Sequence, residues 1–432
     1  MRPQSWDVAI VGAGAAGLAT AIFSRRFNPA RSVVVLDGAR APGAKILVSG
    51  GSRCNVTNAS VTERDFWGGP SPIVRRVLRA FTVGDTVGFF REIGVALHEE
   101  TGGKLFPDTN RARDVLDALL RETRRAGAVV AAGTRVTDVA PAPGGDFRVV
   151  TGDGDLTAER VVLATGGRAL PKSGSDGAGY DLARRAGHTI VETTPALVPL
   201  VLAPSDTVHD AVPGVAHDVE LALRVDGVVA IRLSGALLWT HFGVSGPVVL
   251  NASRHLLRAQ LEGRTVALVA NVYPGRDFEA VDTEWQRAAQ TAPKSSVQTL
   301  LAAQVPASVA AAFLRQLDID GGGALAHFAR GDRRRLVGAL VEWPLPVIGS
   351  RGYTYAEATA GGVRLTEIDA RTMASRVCRG LSLVGEILDV DGRIGGYNFQ
   401  WAWSSGFVAG RALAHARAAE AITPRDGTLA RD

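Results

Sequence analysis

An apolar strand, a glycine turn, a helix, a second strand and an acid, in that order within the first 37 residues, constrain this chain more than any other feature. Residues 7–11 read Asp-Val-Ala-Ile-Val, a buried parallel strand. Gly12-Ala13-Gly14-Ala15-Ala16-Gly17 follows at once, and residues 18–23 continue as an apolar helical run. Residues 33–36 form a second apolar strand closed by Asp37, about twenty positions after Gly17. Each part has a physical task. Gly12 permits the tight turn, Gly14 lets backbone approach a pyrophosphate, and Gly17 lets helix and strand pack closely. The free N–H groups at the helix start attract phosphate charge, and Asp37 can accept from a ribose diol. The unit predicts a dinucleotide-binding strand–turn–helix.

A chain of 432 residues exceeds one ordinary core, and 46% hydrophobic with 21% charged residues is a soluble globular composition. Of the 50 glycines, 16 fall in short clusters at 12–17, 50–51, 166–179, 361–362 and 385–396, as expected where backbone approaches a ligand. A net charge of +5 is modest for the length, and the runs at 75–76 and 333–335 read as solvated helix faces. Two cysteines, Cys54 and Cys378, give neither a disulfide framework nor a CxxC redox pair. No N-terminal leader pattern and no uncharged apolar run of membrane-spanning length is present, so the expected compartment is the cytoplasm.

The order of patterns predicts an insertion into a two-part domain. Residues 1–191 alternate strands and helices, among them a helix at 114–126, strands at 129–139, 147–150 and 160–164, and a turn at Gly144-Gly145. Residues 192–276 are β-rich with a hairpin turn at Asp226-Gly227, 277–341 are helical, and 342–368 return to strand. Residues 369–432 hold a strand, a glycine turn and a helix running to about Ala419, completing the first domain. The expected fold is α/β: a two-part Rossmann-like FAD-binding domain with an inserted β-barrel-like domain and a small helical piece.

Three further segments turn the nucleotide into a flavin. The block at 49–58, with Ser49, Gly50, Arg53, Asn55 and Thr57, sets polar donors beside glycines in the loop after the second strand, where ligands bind in doubly wound folds. Ala164-Thr165-Gly166 ends an apolar strand, a second contact point for FAD. Gly385-Glu386 and Asp391 supply acids for ribityl hydroxyls. Gly395-Gly396-Tyr397-Asn398 opens a helix whose dipole would favour a reduced, anionic ring. Lys45 and the helix-opening Ala15 and Ala16 complete the set of cofactor contacts. His241, in Thr240-His241-Phe242-Gly243, is the one catalytic candidate, and a structural histidine is the commoner role. Cys54 reads as an inert buried thiol rather than a redox group. No metal site is expected.

With these residues in place the chain resembles the BaiN/YhiN-like, aminoacetone oxidase-like flavoproteins. The resemblance rests on 12–17, the Ser-Gly-Gly-x-Arg-Cys-Asn-x-Thr-Asn block at 49–58, 164–167, 240–247, 360–363 and 385–410. It implies non-covalent FAD and oxidoreductase activity, with hydride passing between a small organic substrate and flavin N5. Ser52 departs from the family pattern, which has a third glycine there. No second GxGxxG follows a strand, which leaves two outcomes: nicotinamide bound transiently in the substrate cleft, or a flavin reduced by an amine and reoxidised by oxygen. Because one activity proposed for the family is reductive, the resemblance implies NAD(P)H as a transient reductant, with the oxygen-using amine oxidase as the alternative. An RNA-directed flavoprotein and a non-catalytic flavin-binding regulator also stay open. The expected partner is a small molecule rather than a membrane or nucleic acid, and no pattern sets an oligomeric state.

Overall fold

The computed structural model of the chain describes residues 4–204 and 208–415. The elements that frame the site are β1 (Gln4–Val11), α1 (Ala15–Phe27), β2 (Val33–Asp37), α2 (Ala44–Ser52), β3 (Leu156–Leu163) and α3 (Tyr397–His415). The chain forms two compact units. Among the described residues, one holds those up to Gly167, then 171–192 and 361–415; the other holds 168–170 and those between 193 and 360.

The first unit is built on a parallel sheet in the order Val129–Ala132, β2, β1, β3. Val8, Ala9 and Ile10 of β1 and Val33 to Leu36 of β2 are buried in unbroken runs, as helices on both faces require. The free edge of β3 is shared. Residues 156–158 pair antiparallel with Phe147–Thr151, and residues 161–163 pair in parallel with Leu381–Leu383. A strand from the C-terminal part of the chain therefore enters beside the third framing strand. The helix after it, α3, lies along α1 at backbone distance. A Cβ at Gly406 would stand 2.8 Å from Ala16 O, and one at Gly410 would stand 2.8 Å from Thr20 O. The expected strand at 129–139 is two strands, Val129–Ala132 and Val136–Pro141, broken at Gly133 with φ +79°. α3 is described to His415, and the stretch expected to run on to Ala419 lies outside the described residues.

The first unit closes through a buried relay. His188 is 4% exposed; its Nδ1 meets Glu367 Oε2 at 2.8 Å and its Nε2 meets Ser375 Oγ at 2.8 Å. Ser375 Oγ also accepts from Val377 N and Cys378 N at 3.0 and 2.7 Å. Burial pushes the Glu367 carboxyl up, but hydrogen bonds from Thr189 and His188 outweigh it and hold the group below its ordinary range. A carboxylate depressed in the fold adds stability above its unfolded pKa and loses it as pH falls through the folded value. Melting temperature is thus expected to fall with acidification below about pH 4.5. Glu367→Gln should remove part of that slope; an unchanged slope would rule out this contribution.

The second unit is a seven-stranded antiparallel sheet. Its order is Trp343–Leu345, Val266–Asn271, Ala216–Val225, Val228–Thr240, Gly243–Ser245, Leu200–Leu202, Val347–Ser350. Asp226 and Gly227 take φ +50° and +81°, the primed turn suited to a twisted hairpin. The helices Phe278–Thr291, Val297–Ala302, Ala307–Gln316 and Arg330–Val341 share one core with this sheet. Phe313 and Trp343, one from each part, have ring centres 4.2 Å apart. Among the described residues no helix is long and apolar enough to cross a membrane.

Candidate functional site

The N-terminal start of α1 sits in a glycine-lined turn. Gly12, at φ +107°, donates to Leu36 O at 2.8 Å, and Ala164 beneath it donates to Val11 O at 2.8 Å. A Cβ on Gly17 would stand 1.9 Å from Gly12 O, so this glycine serves packing. At Gly14, the N-cap of α1, a Cβ would meet nothing within 4 Å. No side chain caps the helix, and Ala15 and Ala16 offer none. The first N–H groups therefore open onto space, a cradle fitted to an anionic pyrophosphate. Asp37 accepts from Ala13 N at 2.7 Å and Ala39 N at 2.8 Å, which fixes its carboxylate at the end of β2.

Two other segments converge on this start. Gly385 faces Ala16: a Cβ there would lie 2.8 Å from the Ala16 Cβ. Its N–H donates to Ser405 Oγ, and its carbonyl accepts from Trp401 Nε1 at 3.1 Å. Next to it, Glu386 accepts from Lys45 Nζ at 2.5 Å. Gly166 lies within reach of the same lysine; its added Cβ would be 3.8 Å from Lys45 Nζ. Thr165 Oγ1 is buried without a hydrogen-bond partner among the described residues. That oxygen packs against Gly179 in the helix Ala178–Arg185, where an added Cβ would stand 1.8 Å from it.

The remaining candidates assemble around the start of α3. Its amide turned to suit its neighbours, Asn55 donates to Thr57 O at 2.8 Å and accepts from Gly396 N at 3.2 Å. Gly396, at φ +95°, lies so close to Thr57 that a Cβ would come 2.4 Å from its carbonyl carbon. Asn58 Nδ2 donates to Gly395 O at 3.1 Å. Asn398 Oδ1 accepts from Gly392 N, and its Nδ2 donates to Gly392 O, closing the loop before the helix. Asp391 is 1% exposed on Val390–Gly392, which pairs antiparallel with Phe66–Gly68. Tyr397 opens α3 edge-on to Phe66; burial, then the Asp65 charge, pushes its phenol above the ordinary range.

Some expected donors are engaged elsewhere. The segment at 49–52 is not a plain loop but the distorted end of α2, non-helical at Ser49, Gly50 and Gly51. Ser49 Oγ donates to Ile46 O at 2.9 Å. Arg53 grips Glu100 at 2.6 and 3.2 Å and lies 4.0 Å from the Phe106 ring centre, so its guanidinium anchors a neighbouring hairpin. The Thr57 hydroxyl donates to Gln400 Oε1 at 2.6 Å, fully buried. Gln400 was missed in the sequence, as were its partners Thr86 and Ser404, at 3.0 and 3.1 Å. An amide four residues before a serine in an otherwise apolar helix was the available signal. His241 is exposed in the second unit, edge-on to Phe242.

Two residues here have testable local consequences. Cys54 is fully buried, and burial pushes its thiol up to about 12, against a small opposing hydrogen bond from Ser49. The folded protein should leave Cys54 unlabelled by iodoacetamide at pH 8 while Cys378, only partly buried, reacts first. Peptide mapping that finds Cys54 modified in the native state would contradict this. Ser52 takes φ +67°, a left-handed conformation costing a non-glycine residue roughly 1–2 kcal/mol. Glycine would relieve that but lose about 0.5–1 kcal/mol of chain entropy. Ser52→Gly should therefore stabilise by about 0.5 kcal/mol in urea unfolding.

A parallel sheet with a glycine-lined helix start, and a C-terminal strand and helix returning beside it, is the frame of a Rossmann-like flavin-dependent oxidoreductase. Comparison with known proteins agrees. The family model described as the HI0933-like protein Rossmann domain matches residues 6–412, and the chain belongs to that family of BaiN/YhiN-like flavoproteins. It is 33% identical over 408 residues to the 3-dehydro-bile acid delta(4,6)-reductase of Clostridium scindens, covering 94% of this chain and 98% of that one. It is also 33% identical over 415 residues to a ribosomal RNA dihydrouridine synthase of Escherichia coli, covering 96% and 99%. The synthase of the same name from Haemophilus influenzae is 31% identical over 92% of this chain and 96% of its own. Escherichia coli quinol fumarate reductase shares the fold at TM-score 0.50 and 15% identity, over 96% of this chain and 70% of that chain.

Proposed function

We propose that this chain holds FAD and reduces a carbon–carbon double bond conjugated to a carbonyl, with NAD(P)H as transient reductant. The open cradle at Gly14, which a Cβ would enter without touching protein, carries the cofactor part of the reading. The substrate class comes from the relatives. A 3-oxo steroid unsaturated at positions 4 and 6 and the uracil ring present the same bond, an alkene in conjugation with a carbonyl. When bound, the flavin supplies hydride transfer at N5.

The chain's own residues would bind and orient. The uncapped N–H groups of α1 face the phosphates. Asp37, already fixed by Ala13 and Ala39, keeps lone pairs for ribose hydroxyls. Lys45 and Glu386 hold each other beside Gly166 and can share donors and acceptors with the ribityl-phosphate chain. Asn55 keeps Gly396 in register, so that the positive end of α3 is held where negative charge would develop.

The test is anaerobic. The purified protein should release FAD on denaturation. NADH or NADPH should bleach it with saturable kinetics, and a 3-oxo-4,6-diene steroid should reoxidise it with loss of the diene absorbance. Bleaching by amines and reoxidation by oxygen alone would replace this reading with the oxidase. A second substrate reading, uracil in RNA, is favoured by the two dihydrouridine synthase relatives and by the chain's net charge of +5. Nucleoside analysis of RNA incubated with the protein and NADPH separates the two: dihydrouridine supports the second reading, and none excludes it.

A further inference from the structure

Resting on that second reading, we infer that the second unit carries a stacking platform for an unpaired RNA base, formed by Phe242, Arg351 and Tyr355. The Arg351 guanidinium lies 4.4 Å from the Phe242 ring centre and 4.0 Å from that of Tyr355. Ring, planar cation and ring thus share one cluster, with His241 edge-on to Phe242 at 5.0 Å. Tyr355 is 52% exposed and Ile348 beside the same turn is 64% exposed. Contiguous exposed apolar surface, unlike side chains exposed singly, marks a partner site.

The cluster is held rigid by backbone. Arg351 N donates to Pro199 O at 3.0 Å, and Tyr355 N donates to Gly352 O at 3.1 Å. Between them, Tyr353 accepts from Leu170 N at 2.9 Å, and its hydroxyl donates to Thr193 Oγ1 at 2.9 Å. The exposed Arg168 lies 6.0 Å from the Tyr353 ring centre. Neither Arg168 nor Arg351 has an acidic partner among the described residues. Two unpaired guanidinium groups can meet phosphates, while the ring–cation planes offer a face to a base that has left its stack. A neutral apolar ligand would need no such cations, and a duplex presents no free base face.

The acidic and basic residues of this unit balance, so no broad field adds to these contacts. Binding should therefore fall only shallowly with salt, with a logarithmic slope near about −1.4 for two phosphates. The test uses the full chain with fluorescein-labelled decauridylate, read by anisotropy at about 150 mM salt, with an RNA duplex of the same length as comparison. The single strand is expected to bind about 10-fold or more tighter than the duplex. Tyr355→Ala should weaken it about 10-fold at unchanged melting temperature, with Tyr355→Phe restoring it. Arg351→Lys, which keeps charge and loses the plane, should weaken it as well. Dihydrouridine formation in RNA is measured alongside. If RNA is bound and reduced but Tyr355→Ala and Arg351→Lys behave as the parent, the platform is wrong and the RNA reading stands. If the parent neither binds decauridylate nor forms dihydrouridine, both fall.

Discussion

Gly14→Val should give a folded protein that no longer holds flavin. A Cβ at this position meets no atom within 4 Å, and the backbone there is extended, so the fold has room for the branched side chain. The expected loss of stability is about 1 kcal/mol or less, that of a poorer helix N-cap. The cofactor has no such room, because the side chain fills the space over the first N–H groups of α1. Flavin affinity is expected to fall about 100-fold, on the order of 3 kcal/mol. Gly17→Val is the contrasting variant. Its Cβ would stand 1.9 Å from Gly12 O, so it should cost on the order of 3–5 kcal/mol and lose the fold itself. Equilibrium unfolding of apoprotein and fluorescence titration with FAD separate the two. Full flavin occupancy in Gly14→Val would remove the cradle from the site.

Gly396→Ala is expected to be the most damaging single methyl group at the second half of the site. Alanine at φ +95° is strained by roughly 1–2 kcal/mol, and its Cβ would overlap the Thr57 carbonyl carbon at 2.4 Å. The total should reach on the order of 4 kcal/mol, because backbone rather than a flexible side chain must move. The damage should also spread. Thr57 is tied to Gln400, which in turn holds Thr86, Ser404 and Phe81 O, so a shift of α3 breaks a buried polar network. Chemical denaturation checks the magnitude, and flavin retention in the surviving folded fraction checks the coupling. A change under about 1 kcal/mol would mean that this helix start is not packed as described.

The residues at the two helix starts differ in how readily sequence reveals them. The fingerprint at 12–17 and Asp37 are close in the chain, and their geometry follows from local rules of strand, turn and helix. The same holds for the Asp226-Gly227 turn, whose two positive φ angles are the usual consequence of that dipeptide between alternating apolar residues. Arg53 shows the other case. Its place beside glycines and asparagines marked it as a donor to the ligand, yet Glu100 and Phe106, some fifty residues away, hold its guanidinium. A long flexible side chain takes whichever partner the fold brings near, and no local pattern encodes that choice.

What the sequence alone determined is the set of local devices: the nucleotide-binding turn, the buried strands, the two-part domain interrupted by a β-rich and helical insertion, and the family. These rest on periodicity and on glycine at fixed offsets, which act over a few residues. Only the tertiary structure decided which devices meet. It brought Gly385 against Ala16, Asn55 to Gly396, and Lys45 to Glu386. It also turned Gln400 into the hub of a buried network and gave Ser52 a strained, left-handed backbone. All but the Ser52 conformation depend on contacts between segments hundreds of residues apart. Their free energy comes from burial and hydrogen bonding in the assembled core, which no short window of sequence contains.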